Sequence, residues 1–177
     1  AGGCWADTSV GSADCGANTA PALQGAEGVT VSPDGKNVYV VAQGDSAISS
    51  FTRDAGTGAL TYVSCMSNGA VGCASQTGGS FLFPREVTSA PDGRGVYAAA
   101  ANSGLVAFLR NPADGALTYA QTVSDLAPAL LVGVAVAPDN RSVSAGSVTR
   151  WAVYAFSRDP ATAVVTRIGC VKDTNAG

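Results

Sequence analysis

The 177-residue chain contains no histidine. That excludes a Ser-His-Asp triad, a Cys-His pair, His-ligated zinc and a histidine acid or base within it. The chemistry left to it rests on carboxylates, guanidinium groups and five cysteines. Glu27 and the pair Arg85-Glu86 precede two similar apolar stretches. Two carboxylates and a guanidinium facing one ligand can bind a divalent cation or polarise a polar substrate. They are the catalytic candidates; a surface Arg-Glu ion pair is the plain alternative. Arg150-Trp151 interrupts a stretch of small polar residues, and a cation beside an indole suits a sugar or an aromatic ligand. A packing plug would also use a Trp there. Asp7, Asp14, Asn68 and Asp173 lie near cysteines and could hold Ca2+, but their spacing matches no EF-hand loop. No metal site is assigned, and the only cofactor entertained is such a divalent cation. Asn140-Arg141-Ser142 is a glycosylation sequon inside a tight-turn sequence, and its match is read as incidental. No P-loop and no G-x-S-x-G elbow occurs.

The cysteines stand at 4, 15, 65, 73 and 170, with no C-x-x-C pair. A zinc ribbon or thioredoxin motif is thereby disfavoured. Cys4 and Cys15, and Cys65 and Cys73, each bracket a stretch rich in small residues. Short disulfide-closed loops account for this and imply an oxidising, extracellular compartment. Buried free thiols are the alternative reading. Cys170 is left unpaired.

Composition narrows the partners. Charged residues make up 13% of the chain and hydrophobic ones 46%, which is a core-forming balance, not a disordered one. Ten Lys and Arg against thirteen Asp and Glu leave a net charge of -3 and no basic stripe, so nucleic acid is not expected. The longest nearly uncharged apolar run, 126–136, contains Pro128 and is too short to span a bilayer. The chain has no initiator Met and no signal peptide, so Ala1 reads as a processed or trimmed start.

The elements that must position these residues come from a repeat. Val29-Thr30-Val31-Ser32-Pro33-Asp34-Gly35 aligns with Val87-Thr88-Ser89-Ala90-Pro91-Asp92-Gly93 and with Val134-Ala135-Val136-Ala137-Pro138-Asp139-Asn140. Each is followed by an apolar stretch, then by a Phe-x-Arg step at Phe51-Arg53, Phe108-Arg110 and Phe156-Arg158. Leu60, Leu117 and Val165 follow each Phe by nine residues. The Pro-Asp-Gly and Pro-Asp-Asn steps predict tight turns, because Pro presets φ and Gly or Asn accepts a left-handed backbone. Apolar residues at both parities predict strands buried on two faces. A 40–50-residue repeat of four strands is a propeller blade.

The segment Val-Thr-Val-Ser-Pro-Asp-Gly-Lys-Asn-Val-Tyr-Val at 29–40, with the Phe-x-Arg-Asp and Gly-Ala-Leu-Thr elements after it, resembles the YVTN-type repeat. That repeat occurs in lactonase-like β-propellers of the 6-phosphogluconolactonase and muconate-cyclising kind. The cysteine loops resemble a secreted bacterial branch of those propellers. The resemblance covers nearly the whole chain and implies a lactonase-like activity at the central channel. Enzymes of that family generally use His, Arg and Glu there, and this chain offers only Arg and Glu.

The expected fold is therefore all-β, one β-propeller segment over 1–177. It holds three four-stranded antiparallel blades at about 28–65, 86–122 and 133–170, with cysteine loops at 4–15 and 65–73. Propellers close with about four to eight blades. Three blades form a partial propeller, to be completed by missing chain or by oligomerisation. Gly3-Cys4-Trp5-Ala6-Asp7-Thr8 aligns with Gly169-Cys170-Val171-Lys172-Asp173-Thr174, so the chain begins and stops at one repeat phase. Truncation is the preferred expectation. Residues alike in every blade are read as structural. Arg53, Arg110 and Arg158 are expected to bond turn carbonyls or the adjacent Asp54, Asn111 and Asp159. Asp34, Asp92 and Asp139 are read as turn residues, and the three Phe as inter-blade core. The leading functional expectation is an extracellular, non-catalytic binding or scaffold module for a glycan or protein. The alternatives are a lactonase-like hydrolase or cyclase, and a structural repeat assembling through open blade faces.

Overall fold

Each repeat turns on its Pro-Asp step. Gly35, Gly93 and Asn140 all take left-handed φ values, 71°, 72° and 63°, so the third repeat keeps the turn with the one side chain that tolerates it well. The computed structural model describes residues 4–9, 13–75, 81–126 and 129–174. Gly3, Pro128, residues 10–12 of the first cysteine loop and residues 175–177 lie outside them.

Two short strands, β1 (Ala6–Asp7) and β2 (Thr19–Ala20), pair in parallel ahead of the first repeat. The first sheet is β3 (Ala26–Val31), β4 (Asn37–Ala42), β5 (Ala47–Arg53) and β6 (Leu60–Ser67), with β7 (Ala74–Ser75) added in parallel to β6. The second is β8 (Pro84–Ser89), β9 (Gly95–Ala100), β10 (Gly104–Arg110) and β11 (Leu117–Val123). The third is β12 (Leu131–Val136), β13 (Ser142–Ser147), β14 (Ala152–Arg158) and β15 (Val165–Lys172). Within each sheet the four successive strands pair antiparallel. The fold is all-β, as the repeat implies, and the first sheet differs by its fifth strand.

Every inner strand carries a bulge at the same place. Glu27, Arg85 and Val132 are the extra residues, between Ala26 and Gly28, Pro84 and Glu86, and Leu131 and Gly133. A bulge re-aims its side chain and sharpens the local twist. Pairing resumes before it, so the sheets start two residues earlier than the apolar pattern alone indicates.

The sheets stack through two cores. Tyr39, Val41 and Ile48 of the first face Val96, Ala98, Val106 and Phe108 of the second. Phe81 from the connecting segment meets Phe108 edge-on at 5.7 Å. Tyr97, Ala99, Leu105 and Ala107 face Val143, Ala145, Tyr154 and Phe156 of the third sheet. Phe108 and Phe156 are thus inter-blade core. Phe51 is not; it points to the back of the first sheet and lies under Trp5, 5.9 Å away, with Tyr62 beside both. Trp5 Nε1 donates to the Leu60 carbonyl and holds this cover in place.

Disulfides join Cys4 to Cys15 and Cys65 to Cys73, while Cys170 is free and exposed. Cys65 pairs in register with Ser49, and Cys170 with Tyr154. Cys170 therefore occupies, on β15, the seat Cys65 holds on β6. No helix among the described residues is long and apolar enough to cross a membrane.

Candidate functional site

The ends of the inner strands carry the candidate site. Ala26 pairs with Ala42, Pro84 with Ala100 and Leu131 with Ser147, so the three bulges share one end of the stacked sheets with the turns at 43–46, 101–103 and 148–151. At that end Arg85 Nη1 donates to Glu27 Oε1 at 2.9 Å. About a third of each side chain is exposed. The inner strands approach closely here. A Cβ on Gly28 would stand 2.8 Å from the Glu86 Cα and 2.9 Å from the Arg85 carbonyl oxygen.

The strand register keeps the repeat alignment: Glu27 corresponds to Arg85 and Val132, and Glu86 to Gly28 and Gly133. The ring of bulge residues therefore reads Glu, Arg, Val. Glu86 turns its Oε1 toward the Val87 amide at 3.1 Å. Arg85 Nε is buried and has no hydrogen-bond partner among the described residues. The site therefore holds a guanidinium anchored to Glu27 and flanked by two carboxylates from adjacent sheets.

Arg150 and Trp151 lie at this same end. Trp151 is 55% exposed and takes a left-handed φ of 48°, as Ser46 does at 49° in the matching turn of the first sheet. With Thr149, Tyr154, Cys170 and Lys172 they line a hollow of about 400 Å3. A second hollow joins Trp151 to Val132 at the third bulge.

The acidic residues near the cysteines are not gathered. The described residues contain no group of three or more His, Cys, Asp or Glu placed to hold a metal ion. Asp7 is buried, and its carboxylate accepts from the Ser9 amide, the Ser9 hydroxyl and the Leu23 amide. Asp45, which sequence reasoning missed, accepts from the next amide, Gln24, at 2.8 Å. Burial raises the Asp45 pKa, and the neighbouring Asp7 carboxylate adds to it.

The repeated arginines bond the turn carbonyls, as expected, and Arg110 and Arg158 have further partners. Arg110 donates to its own turn at the Gly93 carbonyl, as foreseen, but its other bonds cross to the first sheet. They reach Asp34 Oδ2 at 2.9 Å, Asn37 Oδ1 at 2.6 Å and the Tyr39 hydroxyl at 2.9 Å. Arg158 repeats the arrangement with the Asn140 carbonyl, Asp92 and the Tyr97 hydroxyl. Asn111 and Asp159 instead bond amides of their own turns. Burial works to raise the Asp34 pKa, but Ser32, the Lys36 amide and Arg110 outweigh it and hold it at about 2.

With this geometry in view, the comparisons with known proteins agree on architecture. The family described as lactonase, 7-bladed beta-propeller, matches residues 7–132. No curated protein matches the chain. The periplasmic gluconolactonase of Pseudomonas aeruginosa is similar, with 22% identity and a TM-score of 0.70 over 88% of this chain and 41% of that one. A candidate 6-phosphogluconolactonase from Bacteroides fragilis gives 18% identity and 0.69 over 88% and 41%. Saccharomyces cerevisiae Sqt1 gives 9% and 0.66 over 84% and 36%. At such identities the likeness is one of fold. The chain spans about two fifths of the length of these proteins.

Proposed function

Because this chain belongs to the seven-bladed β-propeller lactonase family, we propose that it is part of a hydrolase for sugar-acid lactones acting at the channel end of the inner strands. The family match and the gluconolactonase neighbours favour this over a non-catalytic binding module. The observation that carries it is the Glu27–Arg85 bridge between consecutive inner strands, with about a third of the Arg85 side chain open at the strand ends. Hydrolysis adds water to the lactone carbonyl carbon as a carboxylate takes one of its protons. The carbonyl oxygen becomes an oxyanion, and the exposed part of the Arg85 guanidinium is suited to stabilise it. The ring C–O bond then breaks, and its oxygen leaves with a proton, giving the hydroxy acid. Glu27 is tied to Arg85 and positions it; Glu86, whose Oε1 accepts from the Val87 amide, is the better placed base.

The test is pH-stat hydrolysis of gluconolactone. Loss of one oxyanion donor costs on the order of a hundredfold or more, so Arg85→Gln should lower kcat/KM by about that factor. Glu86→Gln should lower kcat more than it raises KM. Hydrolysis at the buffer rate, or unaffected by both changes, overturns the proposal.

We also propose an extracellular or periplasmic location. The two disulfides support it, and so does the periplasmic gluconolactonase among the structural neighbours.

A further inference from the structure

One place in each repeat takes a left-handed backbone ahead of the inner strand. Gly25, Phe83 and Leu130 stand there, two residues before the bulge residue, with φ of 67°, 55° and 39°. Their carbonyls accept from the Gln43, Ala101 and Val148 amides, so the place is the same in all three sheets. The first sheet fills it with glycine, which takes that backbone without strain. The second fills it with Phe, whose bulk makes such a φ an outlier. Pro84 follows and further narrows the choices of the residue before it.

Packing does not account for that choice. Phe81 supplies the apolar filling of this connection; it is fully buried and meets Phe108. Phe83 is 41% exposed. Its backbone is nonetheless pinned from both sides. The Phe83 amide donates to Ser46 Oγ in the turn of the first sheet at 3.4 Å, and its carbonyl accepts from Ala101 of the second at 2.9 Å. The preceding Leu82 amide donates to Ser103 Oγ at 2.7 Å. Strain of this kind persists only where the surroundings over-determine it, and it collects at ligand sites. Arg85 lies two residues on, its Cα at most about 7 Å away.

We infer that the exposed Phe83 ring is the apolar wall of the lactone site, stacking on the face of the sugar-acid ring whose carbonyl oxygen lies at Arg85. A sugar lactone carries C–H groups on its ring face and hydroxyls around its edge. An aromatic face suits the first, and a guanidinium with carboxylates beside it suits the second. The pinned backbone lets the ring orient the substrate without a loop being ordered as it binds. The other two sheets do not repeat the arrangement. Gly25 precedes Glu27 and has no side chain, and Leu130 precedes Val132 in place of an arginine. Aromatic ring and cation thus come together at the second sheet. The inference rests on the hydrolase reading and names the residue that selects for a ring-shaped substrate.

The test is pH-stat kinetics on gluconolactone, with KM and kcat separated. Phe83→Gly keeps the left-handed backbone and removes the ring, and should raise KM about tenfold. Its kcat should stay within about twofold of the wild type, whereas partial unfolding would lower kcat and leave KM as it is. Phe83→Tyr keeps the ring and should keep the wild-type KM. Leu130→Gly makes the same backbone change one sheet on and should leave KM unchanged. An unchanged KM in Phe83→Gly, or an equal rise in Leu130→Gly, overturns the inference and leaves the hydrolase reading standing. A rise that Phe83→Tyr shares also overturns it, because the stacking face is then not what holds the substrate. A wild-type chain that hydrolyses gluconolactone only at the buffer rate overturns the hydrolase reading itself, and this inference with it.

Discussion

Arg110 on the second sheet holds Asp34 on the first, with Nη2 2.9 Å from Oδ2 and the arginine side chain 1% exposed. The aspartate that shapes a turn in one blade thereby also anchors the next blade. Removing one partner of a buried ion pair leaves the rest of its network unpaired. Arg110→Ala should therefore cost about 3 kcal/mol or more of unfolding free energy. Arg53→Ala, whose arginine among the described residues bonds its own turn at the Gly35 carbonyl, should cost less than about 1 kcal/mol. Denaturant unfolding of the two variants checks this; equal losses would mean the Arg110–Asp34 pair is not what joins the sheets.

Acid should separate the blades. Asp34 has its pKa depressed to about 2 and Asp92 is lowered too, each by hydrogen bonds and an arginine that overcome burial. A group depressed in the folded state contributes stability above its unfolded pKa. That contribution fades as pH falls through the folded value. The unfolding midpoint should thus decline between about pH 4 and pH 2. Asp34→Asn should flatten that decline. A profile identical to that of the wild type would remove Asp34 from the account.

Asp45 works the other way. Its raised pKa means its favourable contribution is present at low pH and is lost as pH rises through the folded value. Asp45→Asn keeps an acceptor for the Gln24 amide and removes a charge facing Asp7. Thermal melting at neutral pH should show a higher midpoint for the variant, with the gain shrinking toward pH 4.

Gly28→Ala should damage both fold and site. Its Cβ would meet backbone atoms of Arg85 and Glu86 within 3 Å, and backbone cannot swing aside as a side chain does. Overpacking of this kind costs about 1–3 kcal/mol. It would also push Glu27 away from Arg85. A variant as stable as the wild type would show that the inner strands are not in tight contact.

Trp151→Asn tests whether the indole is structural. A bulky residue at a left-handed φ is strained, and Asn tolerates that backbone. The substitution should leave the melting midpoint unchanged or raise it. A loss above about 1 kcal/mol would make Trp151 a packing plug.

The sequence by itself determined what the backbone code is local enough to carry. The Pro-Asp turns, the Phe-x-Arg steps and strands apolar on both parities specified four-stranded blades and the family they resemble. The cysteine spacings pointed to two short loops, and both disulfides are present. What the sequence left undecided depends on how sheets 47 and 58 residues apart seat on each other. Alignment placed Glu27 level with Arg85 and Val132; that each is the extra residue of a bulge, and that Glu27 and Arg85 meet in an ion pair, was decided by strand register and stacking. Likewise Asp54 and Asp159 are the nearest acids in sequence to the repeated arginines. The arginines instead reach Asp34 and Asp92, 76 and 66 residues back. Stacking brings those carboxylates to the buried guanidinium groups, while Asp54 and Asp159 stay in solvent bonding their own turns.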